Sequence, residues 1–390
     1  MKGKQDMNIK NTAHKKRIES LDIFRGVLIF FVVFGHFLLP MKDREYGLST
    51  SLFLLIYSFH MPAFIFLSGY FYYESWKRKG TEFKSLFSLL ILFFLMKILL
   101  HISDMLFYDN KNIIPNFLHE SSTPWYISTL IFFRLSLLPL ELCMKRKKND
   151  VGFKREFENS QIKQKGKNIK LKEILKDNIT IYTLVLLILT LCISMLNCEW
   201  QKSIKDFLSL DRVISFAPFF YIGFLYKKYS SAKKTSIFEK CNYLLFGLGA
   251  VAVTIFIIFF PYLRPYSRIF YGPWGYRIAR EDILPIFKGV LNPLRILYIP
   301  YALSIAYVVF IIFCKKENFL TSFLIRFGVY SLPIFVLHRP IRDAFDYLVL
   351  KNVSIEKFGE IGILVVLLII SFIVCILLGT DKVNRVCRFK

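Results

Sequence analysis

The chain has 390 residues, 55% of them hydrophobic and 17% aromatic, with a mean hydropathy of +0.45 and a net charge of +25. So apolar a composition excludes an ordinary soluble domain, and apolar runs of about 20 residues imply a polytopic membrane protein. The cations cluster between those runs, as in cytoplasmic loops, which argues against a nucleic-acid partner.

The apolar runs predict an all-α bundle of ten transmembrane helices over 21–380, preceded by a basic N-terminus (1–20) and followed by a tail (381–390). The first span, 21–40, carries Arg25 and His36. A charged side chain in mid-bilayer costs about 2.5–3.5 kcal/mol on insertion scales, so such residues face the protein interior. Eleven residues at about 100° each return Arg25 and His36 to one face, about 16 Å apart along the axis. A retained first helix is expected rather than a cleaved signal, because Asp22 and Arg25 interrupt the run and no small-residue cleavage site follows.

The second span, 51–73, holds His60 in its outer half and Ser68-Gly69 near its inner end. Small residues there let backbones or a ligand approach closely, and helix packing outweighs a nucleophilic role for Ser68, which has no base implied nearby. Spans at 85–107 and 124–144 follow, the latter opening on Trp125 and carrying Arg134. The Lys-rich 145–178 segment reads as a solvated cytoplasmic loop with a secondary capacity for anionic lipid. Spans at 179–198, 211–229 (with Arg212 at its outer mouth) and 242–263 precede an outer loop, 264–295. That loop interleaves Tyr266, Phe270, Tyr271, Trp274 and Tyr276 with arginines. It suits an interfacial aromatic belt or a sugar-stacking platform. Spans at 296–314, 323–345 and 361–380 complete the set, the ninth holding His338-Arg339.

Charge sets the orientation. The segments inside for an N-in chain carry 34 Lys and Arg, against 15 on the outer side, so both termini are cytoplasmic. The seven cysteines show no CxxC spacing and read as small apolar membrane residues; no metal site is expected.

His36, His60 and His338 fall at similar depth, with Arg25 and Arg339 as neighbours along the chain. One such histidine can be a packing residue. Three suggest chemistry, since neutral imidazole takes a proton from an alcohol near neutral pH, as acyl transfer to a hydroxyl requires.

Several segments then resemble, in order, the integral-membrane acyltransferase-3 superfamily, especially its fucose 4-O-acetylase-like sugar acetyltransferase branch. Leu21-Asp22-x-x-Arg25-Gly26 through Gly35-His36 is similar to the family's Arg-x10-His signature. Phe59-His60-Met61-Pro62 through Ser68-Gly69-Tyr70-Phe71, Trp125-Tyr126-Ile127, Phe216-Ala217-Pro218-Phe219-Phe220-x-x-Gly223 and Leu337-His338-Arg339-Pro340 resemble its later motifs. The family's Arg-x-x-Arg pair near the third span has no match; Arg78, Lys84 and Arg134 are the available substitutes. No SGNH-type esterase domain follows, so a stand-alone enzyme is expected.

The resemblance implies transfer of acetyl from acetyl-CoA to a sugar hydroxyl at a bacterial cytoplasmic membrane, the acceptor being a capsule or exopolysaccharide or its lipid-linked precursor. Arg25, with Ser68, Gly69 and Arg134, would face the donor. His36 would act as base or acyl carrier, tuned by His60 and assisted by His338. Arg339, Trp125, Trp274 and Arg212 would contact the acceptor, and glycan-assembly machinery is a conceivable partner. The alternative class is a transporter or flippase for a glycan or lipid intermediate.

Overall fold

The structure, a computed structural model, describes residues 2–43, 47–109, 112–120, 122–149, 177–195, 206–230, 244, 246–255, 294–314, 319–350 and 355–387. We number its helices α1 (Lys2–Asp43), α2 (Gly47–Lys79), α3 (Phe83–Phe107), α4 (Trp125–Leu135), α5 (Leu138–Asn149), α6 (Asn178–Met195), α7 (Leu210–Ser230) and α8 (Phe246–Ile255). The remainder are α9 (Leu294–Cys314), α10 (Thr321–Val329), α11 (Ser331–Leu348), α12 (Ile355–Leu378) and α13 (Asp381–Cys387). Among the described residues there are seven membrane-crossing lengths of apolar helix, with α4 and α5 forming one, and α10 and α11 make an eighth bent by 89°. The other two expected spans coincide with α7, which carries charges at both ends, and with α8. The protein is an all-α polytopic membrane protein.

Inner and outer below follow the charge rule. The structure agrees that both termini share a side: Arg326 of α10 donates to Gly379 O, Tyr330 to Asp381, and Gly328 packs on Asp22 of α1.

α1 and α2 form the middle of the bundle; α1 touches α2, α9, α10, α11 and α12. α3 and α6 are peripheral and turn large apolar side chains such as Phe87, Phe94, Val185 and Leu189 outward, where lipid replaces protein as the neighbour. Two glycine-paired crossings fix the inner half. A Cβ on Gly26 would stand 1.9 Å from Leu324 O, and one on Gly328 1.9 Å from Asp22 O, so α1 and α10 meet backbone to backbone. Gly69 and Gly223 do the same for α2 and α7, with 2.0 Å to Phe220 O and Phe66 O.

Prolines shape the outer half. Pro40 has no N–H, so the carbonyl one turn back, at His36, is released from the helix ladder, and Arg342 Nε donates to it at 3.1 Å. Pro62 likewise releases Ser58 O, which accepts from Tyr298 at 3.0 Å.

Two departures from the expected spans bear on the site. The ninth span is not one helix: α10 ends at Val329 and the chain turns 89° before α11, whose first turn holds Pro333, where a missing N–H costs little. The fourth span begins deep. Lys97, ten residues from the end of α3, donates to His119 O at 2.6 Å and pairs with Glu120 at 2.9 Å. The α3–α4 connection therefore folds back about 15 Å down α3 before α4 starts. Burial pushes the Glu120 carboxyl above its usual range, and Lys97 beside it pulls it back.

Candidate active site

Between α1, α2, α4 and the start of α11 lies a cavity of about 400 Å³. Its lip is the α2–α3 turn, where Gly80 adopts φ +71° and the Glu141 carboxylate accepts from Thr81 N at 2.6 Å. Its walls are largely apolar, from Ile29, Val32, Met61, Leu67 and Leu130, and Ser331, Leu332 and Phe335 of α11 also line it.

Two guanidinium groups stand in this cavity. Arg25 donates to Gly328 O at 2.7 Å, pairs with Asp22 at 3.2 Å and lies 5.5 Å over the Phe71 ring. Arg134 donates to Ser85 Oγ at 2.7 Å and sits 5.0 Å over Tyr72. Among the described residues no carboxylate is within ion-pair distance of Arg134, and the nearby Glu82 is engaged by Lys79 at 3.0 Å. The inner cavity is therefore a cationic mouth on an apolar shaft. Ser68 also faces it, with its hydroxyl committed: it donates to Phe64 O at 2.8 Å and so accepts from Tyr126 at 2.8 Å. Among the described residues its partners are these two alone, and neither is a base that would activate a nucleophile. Gly69, expected beside the donor, is turned to α7 and serves the crossing described above.

The cavity closes one turn below the histidines. Val32 precedes His36 by four residues, Met61 follows His60, and the Phe335 ring lies 6.2 Å from that of His338 and 5.2 Å from Tyr126. Above this floor the structure gathers the residues the sequence placed at one depth. His36 and His338 have ring centroids 5.1 Å apart, and Tyr57 stands edge-on 4.8 Å from His60 and 6.3 Å from His36. His60 and His338 are buried, and each engages the carbonyl one turn back through Nδ1, Ile56 at 2.7 Å and Ile334 at 2.9 Å. Arg339 Nη1 donates to His36 Nδ1 at 3.2 Å.

A second layer, which the sequence reading did not single out, holds these groups. Asp343, fully buried, accepts from Arg342 at 2.7 Å and from Ser103 at 3.0 Å, and lies 3.7 Å from Arg339. Tyr108 donates to Asp346 at 2.9 Å and accepts from Arg342 at 3.2 Å. The available signal was the spacing 339, 342, 343, 346, which puts four charges on one face of an otherwise apolar helix.

Arg212 and Trp125 lie elsewhere. Arg212 is buried, donates to Glu120 O and Asp206 at 2.8 Å, and stacks over Trp125, whose ring lies flat on Phe216 at 5.2 Å. They fasten the descending α3–α4 connection to the start of α7. Trp274 and the 264–295 loop, apart from residues 294 and 295, lie outside the described residues, as does nearly all of the 145–178 loop beyond Asn149. Among the described residues, no three His, Cys, Asp or Glu side chains are grouped to hold a metal ion.

A profile of the acyltransferase domain family, acyltransferase-3, matches residues 18–380. No curated protein and no solved structure matches the chain.

Proposed function

The chain belongs to the acyltransferase-3 domain family and is a membrane acyltransferase, and from that premise we propose that it moves acetyl from acetyl-CoA to a sugar hydroxyl. The acceptor in this reading is a cell-surface or exported polysaccharide, or its lipid-linked precursor, at a bacterial cytoplasmic membrane. One observation carries it: a shaft with Arg25 and Arg134 in its inner part runs to a floor directly beneath three clustered histidines.

The residues divide the work by position. Arg25 and Arg134 receive the donor's phosphates through charge-assisted hydrogen bonds, with Arg134 the more available of the two. Ile29, Val32, Met61 and Leu67 sheathe the donor's arm and exclude water from the thioester. The histidines and Arg339 then supply proton transfer and stabilisation of the developing oxyanion. Phe335 stands between the cavity and the histidines, and its displacement would open one to the other.

The test compares acetyl esters on the cell-surface glycan by proton NMR in wild type, a deletion, and the deletion complemented with His36→Ala at matched protein level. Loss in the deletion, restored by the wild-type gene and not by the variant, is the expected result. Acetyl signals unchanged in the deletion would overturn the polysaccharide acceptor. Purified protein that neither hydrolyses nor transfers from labelled acetyl-CoA would overturn the donor.

A further inference from the structure

The histidines of the cluster are not equivalent, because their partners have opposite polarity. Arg339 is a guanidinium and can only donate, so the nitrogen it faces at 3.2 Å, His36 Nδ1, must present its lone pair. A neutral His36 then carries its proton on Nε2. A backbone carbonyl can only accept, so His338, bonded to Ile334 O at 2.9 Å, carries its proton on Nδ1. Its lone pair is on Nε2, and that atom is buried without a hydrogen-bond partner among the described residues. One ring thus offers an N–H and the other a bare lone pair, 5.1 Å apart between centroids.

We propose that His338 Nε2 is the general base toward the acceptor hydroxyl and that His36 is the hydrogen-bond donor to the reacting carbonyl. This assignment rests on the acyl-transfer reading above and reverses the role expected of His36 from the sequence. Turning His36 into a base at Nε2 would move its proton to Nδ1 and set two donors, Nδ1–H and the guanidinium, against each other. Asp343 resists that rearrangement, since it is fully buried and lies 2.7 Å from Arg342 and 3.7 Å from Arg339, while Arg342 also grips His36 O. Asp343 and Arg342 are positioning residues in this scheme.

The step balances as follows. His338 Nε2 takes the proton of the acceptor O–H while that oxygen bonds to the thioester carbonyl carbon. The carbonyl oxygen gains the negative charge and accepts from His36 Nε2–H. Collapse breaks the C–S bond, the electron pair leaves on sulfur, and the His338 imidazolium returns its proton to give a free thiol and an ester. No oxidant, reductant or water enters.

Glutamine distinguishes the two roles, because its amide places an N–H near the imidazole Nε2 position but has no basicity. The assay uses membranes of the deletion strain, with its own glycan as acceptor and labelled acetyl-CoA as donor, reading base-labile label on the glycan. Each variant is checked for level and for acetyl-CoA binding. The expected result is that His36→Gln loses less than a hundredfold in turnover while His338→Gln loses more, a general base being worth roughly 10²–10⁴-fold. The reverse order, or losses above a hundredfold in both, overturns the assignment. Should His338→Gln fail to accumulate, His36→Gln decides alone at the same threshold. No label from the wild-type protein would instead overturn acyl transfer to glycan, and the division of roles with it.

Discussion

The inner and outer halves of this bundle solve opposite problems with different residues. The inner half brings backbones into contact at Gly26 with Gly328 and Gly69 with Gly223, and beside those crossings leaves a cavity with Arg25 and Arg134 in it. Among the described residues, that cavity does not extend along the histidines of the outer half. Its helices are opened by Pro40 and Pro62, and the carbonyls so released are taken up by Arg342 and Tyr298. Rigid crossings keep a space open beside them, whereas a dense polar network holds the histidines and Arg339 in one orientation. Among the described residues, His338 Nε2 and Arg339 Nε are left over in this network, and the chemistry is expected there.

The comparison breaks most severely at Asp343. Asp343→Ala strips the buried Arg342 and the part-exposed Arg339 of their carboxylate, a change of about 3–5 kcal/mol for a broken buried pair. The inactivation temperature in detergent should fall accordingly and acetyl transfer should vanish; wild-type stability would show that the outer network does not hold the helices. Gly69→Val tests the inner half, since the added carbons meet Phe220 O where even a Cβ stands at 2.0 Å. It should cost at least the 1–3 kcal/mol typical of overpacking, read as lower yield and melting point.

Arg134→Ala sharpens the contrast rather than breaking either half. It should raise the KM for acetyl-CoA about tenfold, or about 1.4 kcal/mol, with kcat little changed, because a group that grips only the donor's remote end contributes uniform binding. A fall in kcat at unchanged KM would move Arg134 out of the donor site. The smallest effect is expected from Tyr298→Phe, which leaves Ser58 O unpaired at the Pro62 opening and should destabilise by about 1 kcal/mol. An unchanged melting point would mean that this carbonyl finds another donor.

The membrane spans were legible because twenty apolar residues in a row have few other uses, and a helix stands at each of the ten positions. The gathering of His36, His60, His338 and Arg339 was legible from depth alone, since residues at one level of a bundle have few places to go. Partners were harder to read. Arg212 and Trp125 looked like acceptor contacts, but Arg212 is spent on Asp206 and Glu120, and Glu120 reaches it only because the chain before α4 descends along α3. No periodicity announces a descending loop. The bend before α11 was hidden for a related reason: hydropathy averages over Gly328, Tyr330 and Pro333 without registering that a helix stops and starts there.

That bend has an electrostatic consequence. Because α11 begins at Ser331 instead of continuing α10, its first turn opens on the cavity, with Ser331 and Leu332 in the lining. The peptide dipoles of the 18-residue helix add up to about half a positive charge at that end. This partial charge belongs to the main chain, so no side-chain truncation removes it. In the acyl-transfer reading, a negative charge appearing on sulfur at the top of the shaft is therefore met by the end of a helix, while the two guanidinium groups hold the donor's remote end.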